Sequence, residues 1–384
     1  MNILMVHPHD VFSQEEPWTV RIKNIAAEFK KKHHQVKIVY FPLRFPAHQQ
    51  EFSVEGVEYI PLSRRLGIRL YIRNIKKMIE LCGWADIVHF QKCFYYAALP
   101  ALIGAFIKHK PVHYDWDDWE IKIFHYSCSQ PWLVGTFLAA LERFMPAICD
   151  SVSVSSYRLR EECIRYGVAP ERIAMAPVGA DLKLFHPEVS GVRVRERFNI
   201  EGPLVIYLGQ LHGGQYVEQF IKASKIVLNK SWPVKFMIVG DGYRLKELKD
   251  MADKLDLTDK LIFTGPVPHR EAPLYLAAAD IAVACFEDND ITRCKSPLKI
   301  AEYLASGKPI VASNVGEVKR MLGGAGVVTL PGDVQNLAEG ITKLLDDELL
   351  RKRLRVKARA RAEEIYNWAI TSENLLNIYS KHFI

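Results

Sequence analysis

Short β-branched runs alternate with amphipathic stretches along almost the whole chain, and few folds other than a parallel α/β sheet accommodate that alternation. NILMV, a helical rhythm from Val20 to Lys32, and QVKIVYF open the pattern. It continues through ADIVHF at residues 85–90, a helical stretch from Tyr95 to His109, and CDSVSVSS at 149–156. After HPEVSGVRVRERFNIEG, residues 186–202, the run LVIYLG starts the same syntax again, followed by VKFMIVG, LIFTG, IAVAC, PIVAS and GGAGVVTL with helices between them. Since 384 residues exceed one ordinary core, the expectation is two doubly wound Rossmann-like domains. Their expected bounds are 1–186 and 203–365, joined by 187–202 and closed by a helical segment, 366–384.

The 49% hydrophobic and 25% charged content leaves no candidate for a disordered arm. MNILMV has the length of a strand and lacks the basic leader and small-residue site of a signal peptide. The longest apolar stretch, Trp132 to Leu141, is about half of a bilayer crossing and reads as part of a buried helix. Seven cysteines without zinc-like spacing suit reduced thiols and a cytoplasmic setting. The net charge of +7 is concentrated between residues 21 and 110, where cations well outnumber carboxylates. Such a field suits phosphates, an acidic glycan, nucleic acid or lipid headgroups, and charge alone does not choose among them.

Several loops carry candidate chemistry. Gly213 and Gly214 precede a helix whose apolar face includes Val217, Phe220 and Ile221; they would let backbone N–H groups approach an anion, or simply form a tight turn. Gly240-Asp241-Gly242 sits between a strand and a helix and lacks a full GxGxxG. In RCKSPLKIAEYLASG, Ser296 and Pro297 mark a helix start, with the Ser hydroxyl as cap and Pro at the first helical position. Lys295 and Lys299 flank that amino end beside Leu298, a place where the helix dipole disfavours cations unless an anion lies between them. Glu302, one turn on, is either an ordinary partner of Lys299 or a carboxylate able to grip two ribose hydroxyls.

In PVHYDWDDWE, the aspartates at 115, 117 and 118 resemble a metal-binding DxD, but no histidine–carboxylate spacing defines a closed site and no metal is expected. Trp116 and Trp119 either stack on sugar rings or belong to the core. Residues 64–80 place Ile68, Ile72, Ile75 and Ile79 on one helical stripe and Arg65, Arg69, Arg73, Lys76 and Lys77 opposite. Either the isoleucines pack on the sheet beneath a solvated basic face, or that face meets anionic lipid headgroups at a membrane surface.

VIYLGQL, MIVGDGYRLKELKDMADKLDL, IFTGPVPHREAPLYLAAADIAV, SPLKIAEYLASGKPIVASNVGEVKRML and YNWAITSENLLNIY, in this order, resemble the donor domain and closing helix of the family-4 retaining glycosyltransferases. NILMVHP, ADIVHFQ, PVHYDWDDWE, CDSVSVSS and APVGADLKLFHP resemble its amino-terminal domain more loosely. The resemblance implies a GT-B fold, two Rossmann-like domains facing a cleft, with the last helix crossing back to the first domain. It implies hexosyl transfer with retention from a UDP- or GDP-linked sugar to a glycan or lipid-linked acceptor, with no further cofactor and no nucleic acid partner. The setting it implies is cytoplasmic or peripheral at the inner face of the membrane. Glu302 corresponds to the second glutamate of the family's paired motif, the one on ribose, while Asp117 takes the place of a histidine in the acceptor cleft, with Asp118, Trp116 and Trp119 beside it. Gly209, Gln210, Gly213, Gly214, Gly240, Asp241, Gly242 and the stretch Lys295 to Leu298 fall on the donor side.

The chain also departs from that pattern. Cys294 stands where the first glutamate is expected, leaving Glu287, Asp288 or Asp290 as substitutes; Gln210 replaces an arginine and LHGGQY lacks a lysine. Those two cations would stabilise the leaving diphosphate, so Lys295 and Lys299 are the expected replacements. Glu15-Glu16-Pro17 stands where paired glycines are common. These departures keep two rivals open: a catalytically silent GT-B subunit that binds nucleotide, and a sugar phosphorylase.

Overall fold

A computed structural model describes residues 1–13, 19–44, 51–65, 67–127, 132–212, 216–230 and 232–382. They divide into two compact units, Met1–Pro177 with Trp368–Ile384, and Val178–Asn367. The acidic loop 15–17 and the Gly213-Gly214 pair lie outside the described residues.

The first unit runs β1 (Asn2–His7), α1 (Val20–Lys31), β2 (Gln35–Tyr40), β3 (Phe52–Val54), β4 (Val57–Pro61), α2 (Ile68–Trp84), β5 (Ile87–Gln91), α3 (Tyr95–Ile107), β6 (Val112–Trp116), α4 (Glu120–Ser127), α5 (Trp132–Ile148), β7 (Ser151–Val154), α6 (Tyr157–Arg165) and β8 (Ile173–Met175). Its sheet has the order β3-β4-β2-β1-β5-β6-β7-β8, parallel apart from β3. The alternation pattern did not anticipate the β3–β4 hairpin, because β3 is a three-residue edge strand, too short for a periodic signal. Its signal lies in the turn: Glu55 and Gly56 both have positive φ, as a two-residue hairpin loop requires.

The second unit runs α7 (Val192–Arg197), β9 (Leu204–Leu208), α8 (Val217–Leu228), β10 (Lys235–Val239), α9 (Leu245–Lys254), β11 (Leu261–Phe263), α10 (Ala272–Ala278), β12 (Ile281–Ala284), α11 (Asp290–Cys294), α12 (Leu298–Ala305), β13 (Ile310–Ser313), α13 (Val318–Leu322), β14 (Gly326–Thr329), α14 (Val334–Asp346) and α15 (Glu348–Glu364). The order β11-β10-β9-β12-β13-β14 is entirely parallel and reverses between β9 and β12, the topological switch point where open α/β sheets hold ligands. Residues 178–202, read from sequence as the end of the first domain and a connection, pack in this unit, because Phe185, Val194 and Ile200 bury themselves in its core.

The last helix, α16 (Trp368–Ser380), belongs to the first unit and packs on α1 and β8. Thr371 Oγ1 donates to the Pro177 carbonyl at 2.8 Å and Asn374 Nδ2 to that of Met175 at 3.1 Å. The Tyr379 hydroxyl lies 2.5 Å from His89 Nδ1 in the buried centre of the sheet.

Two apolar segments sit differently from expectation. α5, read as a buried helix, leaves Leu133, Val134 and Phe137 exposed. α2 buries Asn74, Met78, Leu81 and Cys82 rather than the isoleucine stripe, so Ile68 is 79% exposed and Ile72 shares the solvent side with Arg69, Arg73 and Lys76. Helix periodicity defines stripes, but packing decides which stripe meets the sheet.

Candidate functional site

In the second unit the switch point gathers the ends of β9 and β12 with α12. Gly209 leaves β9 with φ +155°, and a Cβ there would lie 2.8 Å from Lys299 Nζ. Gly240, φ +143°, packs its backbone directly on Gly209: a Cβ would stand 1.9 Å from the Gly209 carbonyl oxygen. Asp241 closes the neighbouring turn by accepting from Gly242 N at 2.8 Å, and a Cβ on Gly242 would meet Leu211 at 2.4 Å. The Gly-Asp-Gly segment therefore serves close backbone packing, which only glycine permits.

α12 is tied to β9 by two side chains. The Tyr303 hydroxyl accepts from Leu208 N at 2.9 Å and donates to Leu208 O at 3.2 Å. Lys299 Nζ donates to the Tyr207 hydroxyl at 2.8 Å and lies 4.2 Å from that ring's centroid. Burial, reinforced by the positive charge of Lys295, lowers the Lys299 ammonium to about 8. A bound anion would raise it again by favouring the charged form.

Ser296 is not the cap of α12. Its Oγ accepts from Val178 N at 3.4 Å and faces Met321 Sδ at 3.8 Å; the cap position falls to Pro297, which offers no side-chain hydrogen bond. The first N–H groups of α12, from Leu298 and Lys299, thus have no side-chain cap, flanked by Lys295 and Lys299. That is an anion-accepting arrangement.

Glu302 is 3% exposed, and its Oε1 lies 2.6 Å from His269 Nε2. The half-exposed imidazole rests on Phe185 with centroids 5.4 Å apart. Sequence reasoning missed His269, which stands 33 positions away in the turn before α10 and matches no spacing rule. The Gln210 carbonyl is 3.5 Å from the Tyr207 hydroxyl, which orients the backbone rather than supplying the missing charge. Cys294 is fully buried on α11. Of the carboxylates considered as its substitutes, Asp288 pairs with Arg293 at 2.6 Å and Glu287 accepts from Gln219 at 3.4 Å.

In the first unit the aspartates within β6 and in the turn after it separate by role. Asp115 is fully buried and bound through both oxygens by Arg21, each at 2.7 Å, with Ser153 Oγ at 2.6 Å. Burial alone would raise its carboxyl, but Arg21 outweighs that and holds it well below the usual range. Asp117 accepts from Gln91 at 3.0 Å and lies 3.5 Å from Lys92 Nζ. Burial pushes it up to about 7, with Lys92 opposing and Asp118 and Asp115 adding.

Lys92, another residue missed from sequence, turns the chain out of β5 with φ +64° and also bonds Glu120. Burial would lower its ammonium, but Asp117 and Glu120 hold it above its ordinary value. The counter-charges of the DxD-like aspartates are therefore an arginine and a lysine. Trp116 is core: it is 1% exposed and donates Nε1 to Glu142 at 2.9 Å. Trp119 is partly exposed, with Lys122 Nζ 5.1 Å from its ring, and Asp118 is likewise partly exposed.

Two parallel-sheet units, one with its switch point beside an uncapped, lysine-flanked helix terminus, define a GT-B, Rossmann-like protein of the glycosyltransferase class. Family models agree: "Glycosyltransferase Family 4" matches residues 19–184 and "Glycosyl transferases group 1" residues 192–361. The chain belongs to the family-4 glycosyltransferases.

Among its relatives, alpha-D-kanosaminyltransferase of Streptomyces kanamyceticus is 26% identical over 246 residues, 62% of each chain. Alpha-monoglucosyldiacylglycerol synthase of Streptococcus pneumoniae is 25% identical over 309 residues, 78% of this chain and 68% of that one. The matched stretch thus spans about two thirds or less of these relatives. The fold matches that of Anabaena HepE in complex with UDP and glucose, with a TM-score of 0.74 and 20% identity over 99% of both chains.

Proposed function

We propose that the chain transfers a hexose with retention from a nucleotide diphosphate sugar to a glycan or lipid-linked acceptor. The observation that carries this reading is the uncapped amino end of α12 between Lys295 and Lys299, with the buried Glu302 carboxylate one turn on. There the diphosphate would meet backbone N–H groups and two ammonium groups, while Glu302 would accept from ribose hydroxyls. In the reaction the bond from the anomeric carbon to the diphosphate oxygen breaks and a bond to the acceptor oxygen forms on the same face. The acceptor proton passes to the departing diphosphate. Asp117, whose carboxyl burial pushes up to about 7, would sit on the acceptor side with Asp118 and Trp119.

UDP-linked sugars are the first donors to test, since HepE was solved with UDP and glucose. The experiment is calorimetric screening of UDP- and GDP-sugars, followed by transfer assays in excess chelator with the product anomer read by NMR. Binding and turnover of one donor, with retained anomeric configuration, is the expected result. Binding without turnover or hydrolysis would favour a silent nucleotide-binding subunit, phosphate-dependent release of sugar phosphate a phosphorylase, and activity only with added divalent metal a different role for Asp117 and Asp118.

A further inference from the structure

The β3–β4 hairpin carries the first unit's sheet outward beyond β2, and strand alternation lines one side of that extension with polar side chains. Ser53 of β3 stands beside Glu58 of β4, and Glu58 beside Lys37 of β2. Gln35, two residues before Lys37, shares that side. Glu51, just before β3, turns the same way and meets Lys77 of α2 at 2.9 Å. Trp84, the last residue of α2, overlooks the row, with Lys37 Nζ 4.7 Å from its ring centroid. Gln35, Lys37, Glu51, Ser53, Glu58 and Trp84 line a trough of about 530 Å³. Small-ligand sites occupy roughly 300–1,000 Å³.

Both walls of the trough are held from behind. On the far side of the hairpin, Phe52 and Tyr59 stack with ring centroids 5.7 Å apart, and Phe12 lies 4.9 Å from Tyr59. The end of α2 is tied to β1, because Asn2 Nδ2 donates to the Trp84 carbonyl at 3.1 Å and Asn2 N to Asp86 at 2.7 Å. The trough therefore has its shape before any ligand enters, as a binding site requires.

Its charges are matched internally. Lys37 pairs with Glu58 at 3.1 Å and Lys77 with Glu51, while Lys30, near the end of α1, donates to Gln35 Oε1 at 3.3 Å. A phosphate or a metal ion would have to break one of these pairs to gain a partner of opposite sign. Among the described residues no cluster of metal-binding side chains lies here or elsewhere. A neutral, polyhydroxylated molecule adds to the pairs instead, because a carboxylate accepts several hydrogen bonds and an ammonium group donates three. The partly exposed indole of Trp84 supplies the apolar wall that the C–H face of a sugar ring needs.

We infer that this trough is a non-catalytic site for a neutral oligosaccharide, with a sugar ring against Trp84 and hydroxyls on Gln35, Lys37, Glu51 and Glu58. It opens from the amino ends of β2 and β4, whereas Lys92 and Asp117 follow the carboxyl ends of β5 and β6. The inference therefore does not depend on the transfer reading.

The test is titration calorimetry of the full chain with maltohexaose, cellohexaose and N-acetylchitohexaose, and with a heparin hexasaccharide as the anionic control. Two variants accompany it, Trp84→Leu and Lys37→Met/Glu58→Gln, the second removing both charges of a pair so that neither is stranded. Circular dichroism and UDP thermal shift check fold and nucleotide site separately, and the charge-pair variant decides alone if Trp84→Leu does not fold. The expected result is binding of at least one neutral hexasaccharide, weakened about tenfold or more in both variants with the UDP response unchanged. Absence of binding by all three neutral sugars would overturn the inference, as would equal or tighter binding of the heparin hexasaccharide. So would neutral-sugar binding that a folded variant leaves intact, since the sugar would then occupy another site.

Discussion

His269 and Glu302, 33 positions apart, are joined at 2.6 Å at the rim of the second unit's switch point, so one oxygen of the carboxylate is held while α12 fixes the direction of the other. A carboxylate on a rigid helix, with one oxygen engaged, is preorganised to receive a diol.

Replacing Glu302 by alanine should weaken nucleotide-sugar binding by about 10- to 100-fold, the loss of hydrogen bonds to a charged acceptor worth about 1.5–3 kcal/mol. The fold should persist, because the freed imidazole is half exposed and can bond water. Calorimetry with the donor identified by screening measures this, and an unchanged dissociation constant would remove Glu302 from the site.

Nucleotide diphosphate affinity should fall as pH rises through about 8. Lys299 titrates there in the free protein because burial and Lys295 disfavour its charge, whereas a bound diphosphate raises its proton affinity. Affinity is therefore full below that pH, declines above it, and binding near pH 8.5 takes up protons. Titrations in buffers of different ionisation enthalpy count those protons; Lys299→Met should abolish the uptake, and a flat profile in the wild type would count against the phosphate role.

Asp117→Asn should stabilise the fold at pH 8 relative to pH 4. The folded carboxyl lies near 7, above its unfolded value of about 3.9, so the folded state binds more protons and stability falls as pH rises between those values. With the residual solvent contact of this side chain and the pull of Lys92, the gain should be of order 1–2 kcal/mol. Urea denaturation at both pH values gives the difference, and equal stabilities would mean that Asp117 is charged throughout.

Arg21→Leu should cost about 3–5 kcal/mol, because it leaves the buried Asp115 carboxylate with only the Ser153 hydrogen bond and His89 Nε2 at 3.9 Å. The same denaturation assay reads it. A loss under about 1 kcal/mol would place Asp115 in contact with water or another cation.

The strands were legible wherever apolar runs were bounded by glycine or polar turns, and Gly209, Gly240 and the Lys295–Glu302 stretch could be singled out as residue types in series. What could not be read was contact between segments. His269 and Lys92 carry no local signal, since each acquires its role only when the sheet brings its turn against Glu302 or Asp117. Trp116 was chemically plausible in two roles and its bond to Glu142 selected the core one, while Ser296, read as a cap, turns instead to Val178 N.

By itself the sequence determined the βα alternation, the two parallel sheets and the family, because side-chain periodicity and turn chemistry are local and survive in one dimension. The tertiary structure alone decided which stripe of α2 and α5 faces outward, which aspartate is neutralised by Arg21 and which is pushed towards 7, since burial and charge pairing depend on neighbours distant in the chain.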